Sequence, residues 1–329
     1  MRIVIISECD YAGSGRRFSE ALRNAGHTCV QVSFRRNKYD YPVDLLAGPH
    51  NLPVVQDLID NADVVHFKGD HLPSHFTALQ TAHRARVITM GGSAFRRPAN
   101  KHQRRPWELA LWPLAEYRAQ ADALGALTPD LLYPGLDAVW TPHATAVRNR
   151  WKAPRKGEAI IIGHSPSNPE VKGTDTIVKP AIAALKLLGY NVELRVIRGK
   201  SNAECLAAKS ACHLFIDQAL IPAYGLSAVE AMGMGIPVVT LLPQLHPRME
   251  SGGHGCPILR MAEPTVKELH WVLVALIDGV TSTQWRQLNR ATLAYAERVH
   301  GQQAVADTLV HLYRMAIAAW KTKTTLRRA

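Results

Sequence analysis

Short β-branched segments alternate with amphipathic helical segments along the first half of this chain. Residues 2–6 and 28–32 predict strands, and residues 16–25 between them predict a helix. Residues 63–67 and 86–90 continue the series of strands. Parallel strands joined by helices form a doubly wound α/β sheet, so this alternation predicts that fold class.

The same alternation begins again after a basic, proline-containing linker at residues 151–157. Strands are predicted at 159–163, 192–197 and 214–217, with helices between them. A chain of 329 residues exceeds what one hydrophobic core usually supports. We therefore predict two Rossmann-like α/β domains with an interdomain cleft. The predicted divisions are 1–150, 151–300, and a C-terminal helix at 301–329 that packs back on the first domain.

Ligands of such sheets bind beyond the carboxyl ends of the strands. In the first domain the segments that follow strands are 7–15, 68–71 and 91–97. Gly13 and Gly15 are compatible with a phosphate-binding turn and with a plain turn. His66 and Asp70 lie at a strand end, where they can contact a ligand or serve only as structural or capping residues.

The segment from Asp217 to Val239 combines a strand end, a Tyr-Gly loop, an Ala- and Met-rich helix and a turn into another strand. Glu230 lies inside that helix. A glycine lets a ligand approach the backbone, and a carboxylate one turn inside the helix can bind paired sugar hydroxyls. The alternative is a helix that only packs on the sheet, with Glu230 in solvent. The residues alone do not decide between the two.

A polar loop at residues 164–168 comes before Lys172-Gly173-Thr174-Asp175, which predicts the start of a helix. Hydroxyls, backbone amides, a helix N-terminus and the charge of Lys172 together suit a diphosphate. The full Gly-x-x-x-x-Gly-Lys-Ser/Thr pattern of P-loop proteins is absent from the sequence.

Charge is the strongest signal of overall composition. The chain has 39 Lys and Arg residues against 27 Asp and Glu residues, a net charge of +12. Such a surplus attracts polyanions or anionic lipid surfaces. One basic cluster lies beside an aromatic residue: Arg96, Arg97, Arg104, Arg105 and Trp107. A solvated basic surface is the alternative interpretation of any single cluster.

The remaining composition predicts a cytoplasmic protein. The longest apolar run, residues 271–277, is too short to cross a bilayer, and polar residues follow the start of the chain too soon for a signal peptide. The five cysteines are scattered without a Cys-x-x-Cys pair, which favours reduced thiols over disulfides or zinc.

The motifs together resemble one family. The segments at 162–168, 172–175, 217–218 and 224–238 look like the donor-binding domain of GT-B glycosyltransferases, specifically the retaining enzymes of glycosyltransferase family 4. Residues 63–66, 91–93 and 127–132 resemble its N-terminal domain, and residues 295–300 resemble the segment that crosses back. The resemblance therefore extends over nearly the whole chain.

The resemblance implies a metal-independent, retaining transfer of a sugar from a nucleotide-sugar to an acceptor hydroxyl. A UDP-sugar is the favoured donor and a GDP-sugar the second choice, with no further cofactor. Lys172 would neutralise the leaving diphosphate and Glu230 would bind the ribose. No Asp-x-Asp motif of metal-dependent glycosyltransferases is present.

Two positions depart from the family pattern. Pro222 stands where the family often has a glutamate, and Asp217 is a candidate substitute. Gly91 stands where the family commonly has a histidine. The residues expected in catalysis are Lys172, Glu230 and Asp217. Those expected at the donor are Ser165, Ser167, Lys172, Gly173, Tyr224, Gly225, Leu226, Ser227, Glu230, Gly13 and Gly15.

Three hypotheses concern the acceptor. The first is a hydroxymethylated base of double-stranded DNA, flipped into the cleft as in a phage-type DNA glucosyltransferase. The second is a lipid-linked or polysaccharide acceptor of the cell envelope, at an anionic membrane surface. The third is a non-catalytic sugar-nucleotide or nucleic-acid binding protein. The expected acceptor-binding residues are Arg96, Arg97, Arg104, Arg105, Trp107, His66 and Asp70.

Overall fold

The computed structural model describes residues 1–69, 71–91, 114–132, 137–244, 255–279 and 281–328. The chain divides into two units. Unit 1 comprises Met1–Ala144 and Gln302–Ala329, and unit 2 comprises Thr145–Gly301. Each unit is an α/β structure on a parallel sheet, which confirms the predicted fold class.

Four short strands, at 45–46, 123–126, 139–140 and 259–261, were not predicted, whereas the other strands lie close to predicted segments. Twelve strands lie within the described residues. They are β1 (Arg2–Cys9), β2 (Thr28–Arg35), β3 (Leu45–Leu46), β4 (Val64–Lys68), β5 (Ala85–Met90), β6 (Ala123–Ala126), β7 (Val139–Trp140), β8 (Ile160–His164), β9 (Val192–Val196), β10 (Leu214–Ile216), β11 (Val238–Leu241) and β12 (Leu259–Met261). The first sheet has the order β3-β2-β1-β4-β5-β6-β7 and the second β12-β11-β10-β8-β9.

Helices connect the strands. They are α1 (Ser14–Asn24), α2 (Leu52–Asp60), α3 (Leu114–Gln120), α4 (Pro169–Lys172), α5 (Lys179–Leu187), α6 (Asn202–Ser210), α7 (Leu226–Gly233), α8 (Val266–Gly279), α9 (Ser282–Tyr295) and α10 (Gln302–Arg328). Two wide π-helical turns, Thr174–Val178 and Ala296–His300, precede α5 and follow α9. Within the described ranges, none of the helices is long and apolar enough to cross a membrane.

β1 is longer than its sequence predicted. The strand was expected to end at Ile6, but it continues to Cys9. Ser7 pairs with Ser33 of β2 and Cys9 pairs with Arg35, so the ladder extends beyond the apolar run. A polar residue after an apolar run predicts a loop, so the sequence does not indicate that the buried Ser7 continues the strand.

The core of unit 1 joins its two sequence segments. Phe18 and Leu22 of α1 pack in one apolar cluster with Leu309, Leu312 and Tyr313 of α10 and with the inner strands. Full burial of such a side chain is worth about 1.5–3 kcal/mol. The C-terminal helix is therefore a structural part of unit 1.

The chain enters unit 2 slightly before the linker. The Thr145 N–H donates to the carbonyl oxygen of His300 at 2.8 Å, and the Arg148 N–H donates to that of Gly233 at 2.8 Å. These hydrogen bonds attach residues 145–150 to unit 2, where the sequence had placed the division after residue 150.

Candidate functional site

The sheet of unit 2 reverses its strand order between β8 and β10, which are neighbours. At such a switch point the connections leave the sheet in opposite directions and open a crevice at the carboxyl ends of the strands. The two segments that follow these strands are residues 165–173 and 217–225. Most of the predicted donor residues lie in these segments or at the start of α7.

His164 fixes the geometry at the end of β8. It is fully buried, and its Nδ1 lies 2.9 Å from the carbonyl oxygen of Ile216 while its Nε2 lies 2.9 Å from the Thr174 hydroxyl. The carbonyl can only accept, so Nδ1 donates and the Thr174 hydroxyl donates to Nε2. Burial lowers the pKa of His164 to about 4, which keeps the ring neutral. The sequence had placed His164 in the loop, whereas it is the last strand residue.

Lys172 meets Asp217 across the switch point. Asn168 caps α4 by accepting from the Glu170 N–H, and Gly173 ends the helix in the left-handed region at a φ of 71°. Lys172, at the end of α4, places its Nζ 2.6 Å from Oδ1 of Asp217. The Asp217 side chain is fully buried, whereas that of Lys172 is 12% exposed. The cation therefore has a solvent-facing side and the carboxylate does not.

Asp217 also reaches the start of α7. Its Oδ2 accepts from the Gly225 N–H at 2.7 Å, and Gly225 is an N-cap without a side-chain capping bond. The next two amides, of Leu226 and Ser227, have no acceptor within the helix. A helix N-terminus beside an ammonium group is an arrangement that binds anions such as phosphates.

The loop before α7 is held from beneath. The Gln218 amide donates to the carbonyl oxygen of Ala223 at 3.0 Å, and the Thr240 hydroxyl donates to that of Gln218 at 3.1 Å. Pro222, at the position of the expected glutamate, lies within this loop. The backbone of the loop is therefore fixed by side chains from within unit 2.

The Tyr224 side chain points into the core of unit 2. Its hydroxyl lies 2.9 Å from that of Tyr295 and 3.1 Å from Nε2 of His300. Burial raises the pKa of Tyr224 well above its usual value, so the phenol stays protonated. Only the backbone of Tyr224 is then suited to a ligand, while its side chain anchors the loop.

Glu230 is buried and paired. It is 3% exposed, and its Oε2 lies 2.5 Å from Nζ of Lys209, which is 1% exposed. Asn202 donates from Nδ2 to Oε1 at 3.3 Å. The interpretation in which Glu230 faces solvent is therefore wrong.

Lys209 and Asn202 were missed at the level of sequence. Both lie on α6, far in sequence from Glu230. The one available signal is that the positions three and four residues from Lys209 carry no acid: they are Cys205, Leu206, Cys212 and His213. A lysine without an acidic neighbour on its own helix can have its partner elsewhere in the fold.

The remaining donor candidates in unit 2 differ in exposure. Ser165 is half-buried, with its hydroxyl 3.3 Å from Sγ of Cys205. Ser167 is exposed in the same loop. A Cβ added to Gly173 would lie 3.1 Å from Cγ of Leu220, so the close approach as well as the φ favours glycine there.

The glycines predicted in unit 1 lie where the chain already supplies an anion. Asp10, at the end of β1, accepts from the Gly15 N–H at 2.8 Å and the Arg16 N–H at 2.9 Å. Lys68 of β4 places its Nζ 3.1 Å from Oδ1 of Asp10. Gly13 adopts a φ of +62° in the preceding turn. The N-terminus of α1 is thus capped by a carboxylate of the protein.

His66 lies inside unit 1. It is fully buried, with Nδ1 2.8 Å from the Tyr313 hydroxyl and Nε2 2.7 Å from the Thr89 hydroxyl. Burial, with a smaller contribution from Lys68, lowers the pKa of His66 to about 3. These contacts tie α10 to the sheet. The other predicted acceptor residues lie outside the described residues: Asp70, Arg96, Arg97, Arg104, Arg105 and Trp107.

Unit 1 also has an open groove of about 370 Å³ at the ends of β1 and β2. Glu8, Arg35, Phe34 and Phe76 are among its lining residues. Oε1 of Glu8 lies 3.0 Å from Nη2 of Arg35. Charged hydrogen-bonding groups therefore lie beside aromatic carbons in one surface depression. Among the described residues, no group of three or more His, Cys, Asp and Glu side chains is arranged to hold a metal ion.

No protein-family profile matches the sequence, and no curated protein matches it significantly. Solved structures do match over both units. Sucrose-phosphate synthase from Thermosynechococcus elongatus aligns with a TM-score of 0.61 and 16% identity, over 96% of this chain and 99% of that one. A glycosyltransferase from Rickettsia africae aligns with a TM-score of 0.64 and 11% identity, over 96% and 98%.

HepE from Anabaena, solved in complex with UDP and glucose, aligns with a TM-score of 0.61 and 14% identity, over 94% of this chain and 98% of that one. The chain has the GT-B fold. At these identities the likeness concerns the fold. In the GT-B fold of this chain, the Lys172–Asp217 pair and the start of α7 occupy the switch point of the second sheet.

Proposed function

We propose that this chain is a glycosyltransferase and that unit 2 binds its nucleotide-sugar donor. The observation that carries the proposal is the meeting of Lys172 with the N-terminus of α7 at the switch point of the sheet. A UDP-sugar is the preferred donor in this proposal, supported by the HepE structures, which contain UDP or UDP-glucose. Membership of glycosyltransferase family 4 stays a prediction from the motifs.

The proposed chemistry follows from charge. Departure of a nucleoside diphosphate builds negative charge on the phosphates, and a fixed cation with preorganised amides stabilises that charge. An ammonium has three donors, so Lys172 can hold Asp217 and still donate to a phosphate oxygen. The amides of Leu226 and Ser227 would complete the phosphate site. This assignment needs no metal ion to offset the leaving group's charge.

Glu230 would bind the ribose of the donor, as the family resemblance implies. Both oxygens of a carboxylate accept hydrogen bonds, which is the chemistry that the hydroxyls of a ribose require. Retention of configuration is also proposed on the resemblance, with the departing phosphate taking the acceptor proton. Asp217 acts in this scheme by holding Lys172 and the Gly225 amide in place.

Binding and turnover with a panel of nucleotides test the proposal. Calorimetry with UDP, GDP and ADP should show binding of UDP at micromolar to millimolar concentration, and UDP-glucose should be hydrolysed slowly without an acceptor. The folded state is checked by circular dichroism in the same buffer. If the folded protein binds none of the three nucleotides at nucleotide concentrations of about 5–10 mM, the proposal is overturned.

The acceptor proposed first is a hydroxymethylated base in double-stranded DNA. Its support is the net charge of +12, which attracts phosphates. Nucleosides digested from hydroxymethylcytosine or hydroxymethyluracil duplexes, after incubation with UDP-sugars, should gain the mass of one hexose. If the donor is hydrolysed but the duplex gains no mass, DNA is not the acceptor.

A glycan or lipid-linked sugar is the second candidate acceptor, and the groove of unit 1 favours it. Aromatic carbons beside Glu8 and Arg35 suit the apolar faces and hydroxyls of a sugar better than a phosphate backbone. Glu8→Gln should then weaken transfer to an oligosaccharide and leave donor hydrolysis unchanged. Equal transfer by both proteins would remove the groove from the acceptor site.

A further inference from the structure

We infer that Lys209 is a positioning residue that holds Glu230 in the orientation needed to bind the ribose of the donor. The inference rests on the proposed function and adds a residue to it. Lys209 lies on α6 and Glu230 on α7, and their side chains join the two helices at 2.5 Å. Lys209 does not itself touch the ligand in this scheme.

The cation is held on two sides. Its Nζ donates to Oε2 of Glu230 and lies 5.3 Å from the centre of the Phe215 ring, on β10. Only 1% of the Lys209 side chain is exposed. A buried ammonium is tolerated when it is paired, and its position is then fixed by the packing around it. The carboxylate that it contacts is fixed in the same way.

Asn202 gives the second contact to the same carboxylate. It lies at the start of α6, and Lys209 lies seven positions later, so both residues face α7 from one side of the helix. Lys209 contacts Oε2 and Asn202 contacts Oε1. Two donors from one rigid helix therefore set the rotation of the Glu230 carboxylate.

This arrangement has a measurable consequence for the choice of sugar in the nucleotide. A site that is built to bind a hydroxyl discriminates against an analogue without it, because the polar group is then left unpaired. A hydrogen bond to a charged group corresponds to about 10- to 100-fold in affinity. If Lys209 orients Glu230, its removal should reduce that discrimination rather than lower all affinities equally.

The experiment compares UDP with 2′-deoxy-UDP and 3′-deoxy-UDP by calorimetry. The wild-type protein should prefer UDP to at least one deoxy analogue by about 10- to 100-fold. Lys209→Met should bring that ratio close to one. Lys186→Met is the matched control, because Lys186 is exposed on α5, and it should keep the wild-type ratio.

A purely structural role gives a different result. In that case Lys209→Met weakens UDP and both analogues by the same factor, the ratio is retained, and the inference is overturned while the proposed function stands. If the wild-type protein binds UDP and the deoxy analogues equally, Glu230 has no ribose role and the inference also fails. Absence of any nucleotide binding by the wild-type protein would instead overturn the proposed function.

Folding is controlled with a charge-neutral pair. Lys209→Met alone leaves a buried carboxylate without its cation, so thermal unfolding is measured for every variant. The double variant Lys209→Met/Glu230→Gln removes both charges. It should unfold cooperatively and bind UDP and deoxy-UDP with nearly equal affinity.

The same variants test whether Lys209 acts through Glu230. When Glu230→Gln is already present, adding Lys209→Met should change the UDP affinity less than twofold. A loss of affinity as large as in the wild-type protein would show that Lys209 acts independently of Glu230.

Discussion

Both units place a lysine–aspartate pair at the switch point of their sheet. In unit 1 the pair is Asp10, after β1, with Lys68 of the neighbouring strand β4. In unit 2 it is Asp217, after β10, with Lys172, which follows the neighbouring strand β8. Each aspartate also accepts a backbone N–H at the start of the next helix. The same device therefore occurs twice in one chain.

The two pairs differ in what they leave available. Asp10 accepts from two amides inside the first turn of α1, and Lys68 is only 4% exposed. Asp217 accepts from the N-cap amide of Gly225, before the first turn of α7, and Lys172 is 12% exposed. A carboxylate of the protein thus fills the anion site of unit 1. In unit 2 the carboxylate holds the cation beside the helix N-terminus, which favours unit 2 as the donor-binding unit.

The largest expected effect is on stability, in unit 1. Lys68→Met should lower the free energy of unfolding by about 3–5 kcal/mol, because it leaves Asp10 buried without its cation. Urea unfolding gives the value, with Lys38→Met at an exposed position of unit 1 as the control. A loss below about 1 kcal/mol, the range of surface pairs, would show that the Asp10–Lys68 pair is not a structural element.

The next effect is on turnover, in unit 2. Lys172→Met should reduce turnover by about 10²–10³, the size expected for one electrostatic donor at a transition state. Its stability should fall by less than that of Lys68→Met, since the Lys172 side chain is 12% exposed and water can replace its ammonium beside Asp217, whereas the Lys68 side chain is 4% exposed. Steady-state hydrolysis of UDP-glucose measures the first quantity and urea unfolding the second. If the two variants lose equal stability, the Asp10–Lys68 and Asp217–Lys172 pairs do not differ in their structural role.

The third prediction concerns pH and applies to both units. His66 and His164 have folded-state pKa values of about 3 and about 4, below the ordinary value of 6.5, because burial disfavours the charged ring. The contribution of the two neutral rings to the free energy of unfolding is therefore complete above pH 6.5. It is lost as the pH falls from 6.5 towards the folded-state pKa values of about 4 for His164 and about 3 for His66. At pH 5 each should contribute a loss of about 2 kcal/mol relative to pH 7.

Denaturant unfolding at both pH values checks this prediction. His66→Gln should reduce the decline in unit 1, because glutamine can replace the hydrogen bonds and does not titrate. An unchanged decline in that variant would show that His66 is not a source of the acid sensitivity.

The smallest effect is at Gly225. A Cβ added there would lie 3.8 Å from Oδ2 of Asp217, an ordinary contact, and the backbone φ is −107°. Gly225→Ala should therefore change stability by no more than about 1 kcal/mol. It should weaken UDP binding about tenfold, which is about 1.4 kcal/mol, because the methyl group would lie where a phosphate approaches the backbone.

Gly15 in unit 1 gives the opposite case for stability. A Cβ there would lie 3.0 Å from Oδ1 of Asp10 and 3.2 Å from Cγ of Gln31, so Gly15→Ala should destabilise the protein. Equal stability of the two variants would contradict the difference in packing at the two helix starts. Unfolding of both proteins and titration of Gly225→Ala with UDP make the comparison.

Much of the fold follows from local patterns. Apolar segments in alternation with helical ones predicted eight of the twelve strands in the described residues, whereas the short strands β3, β6, β7 and β12 were not predicted. The errors occur where burial depends on a neighbour. Ser7 belongs to β1 because β2 pairs with it, and His164 belongs to β8 because Ile216 and Thr174 bind its ring. Neither partner is visible from the polar residue itself.

The candidate site shows the same limit. Lys172, Asp217 and Gly225 were selected because each lies at a strand end or helix start, and the structure brings these three residues together. Lys209 carried no such signal, because its partner lies on another helix. The Lys172–Asp217 contact was not predicted either. Pairings between distant segments arise from the tertiary fold, and a single sequence does not reveal them.

The packing of α10 in the core of unit 1 has a consequence for biosynthesis. Leu309, Leu312 and Tyr313 complete the apolar cluster around Phe18, yet they are translated after the whole of unit 2. Since domains generally fold as units during synthesis, unit 2 can reach its final structure while the ribosome still holds the last helix. Most of unit 1 is translated before unit 2, but its core is complete only when α10 has been translated. Until then its apolar surface is exposed, and chaperones can bind that surface.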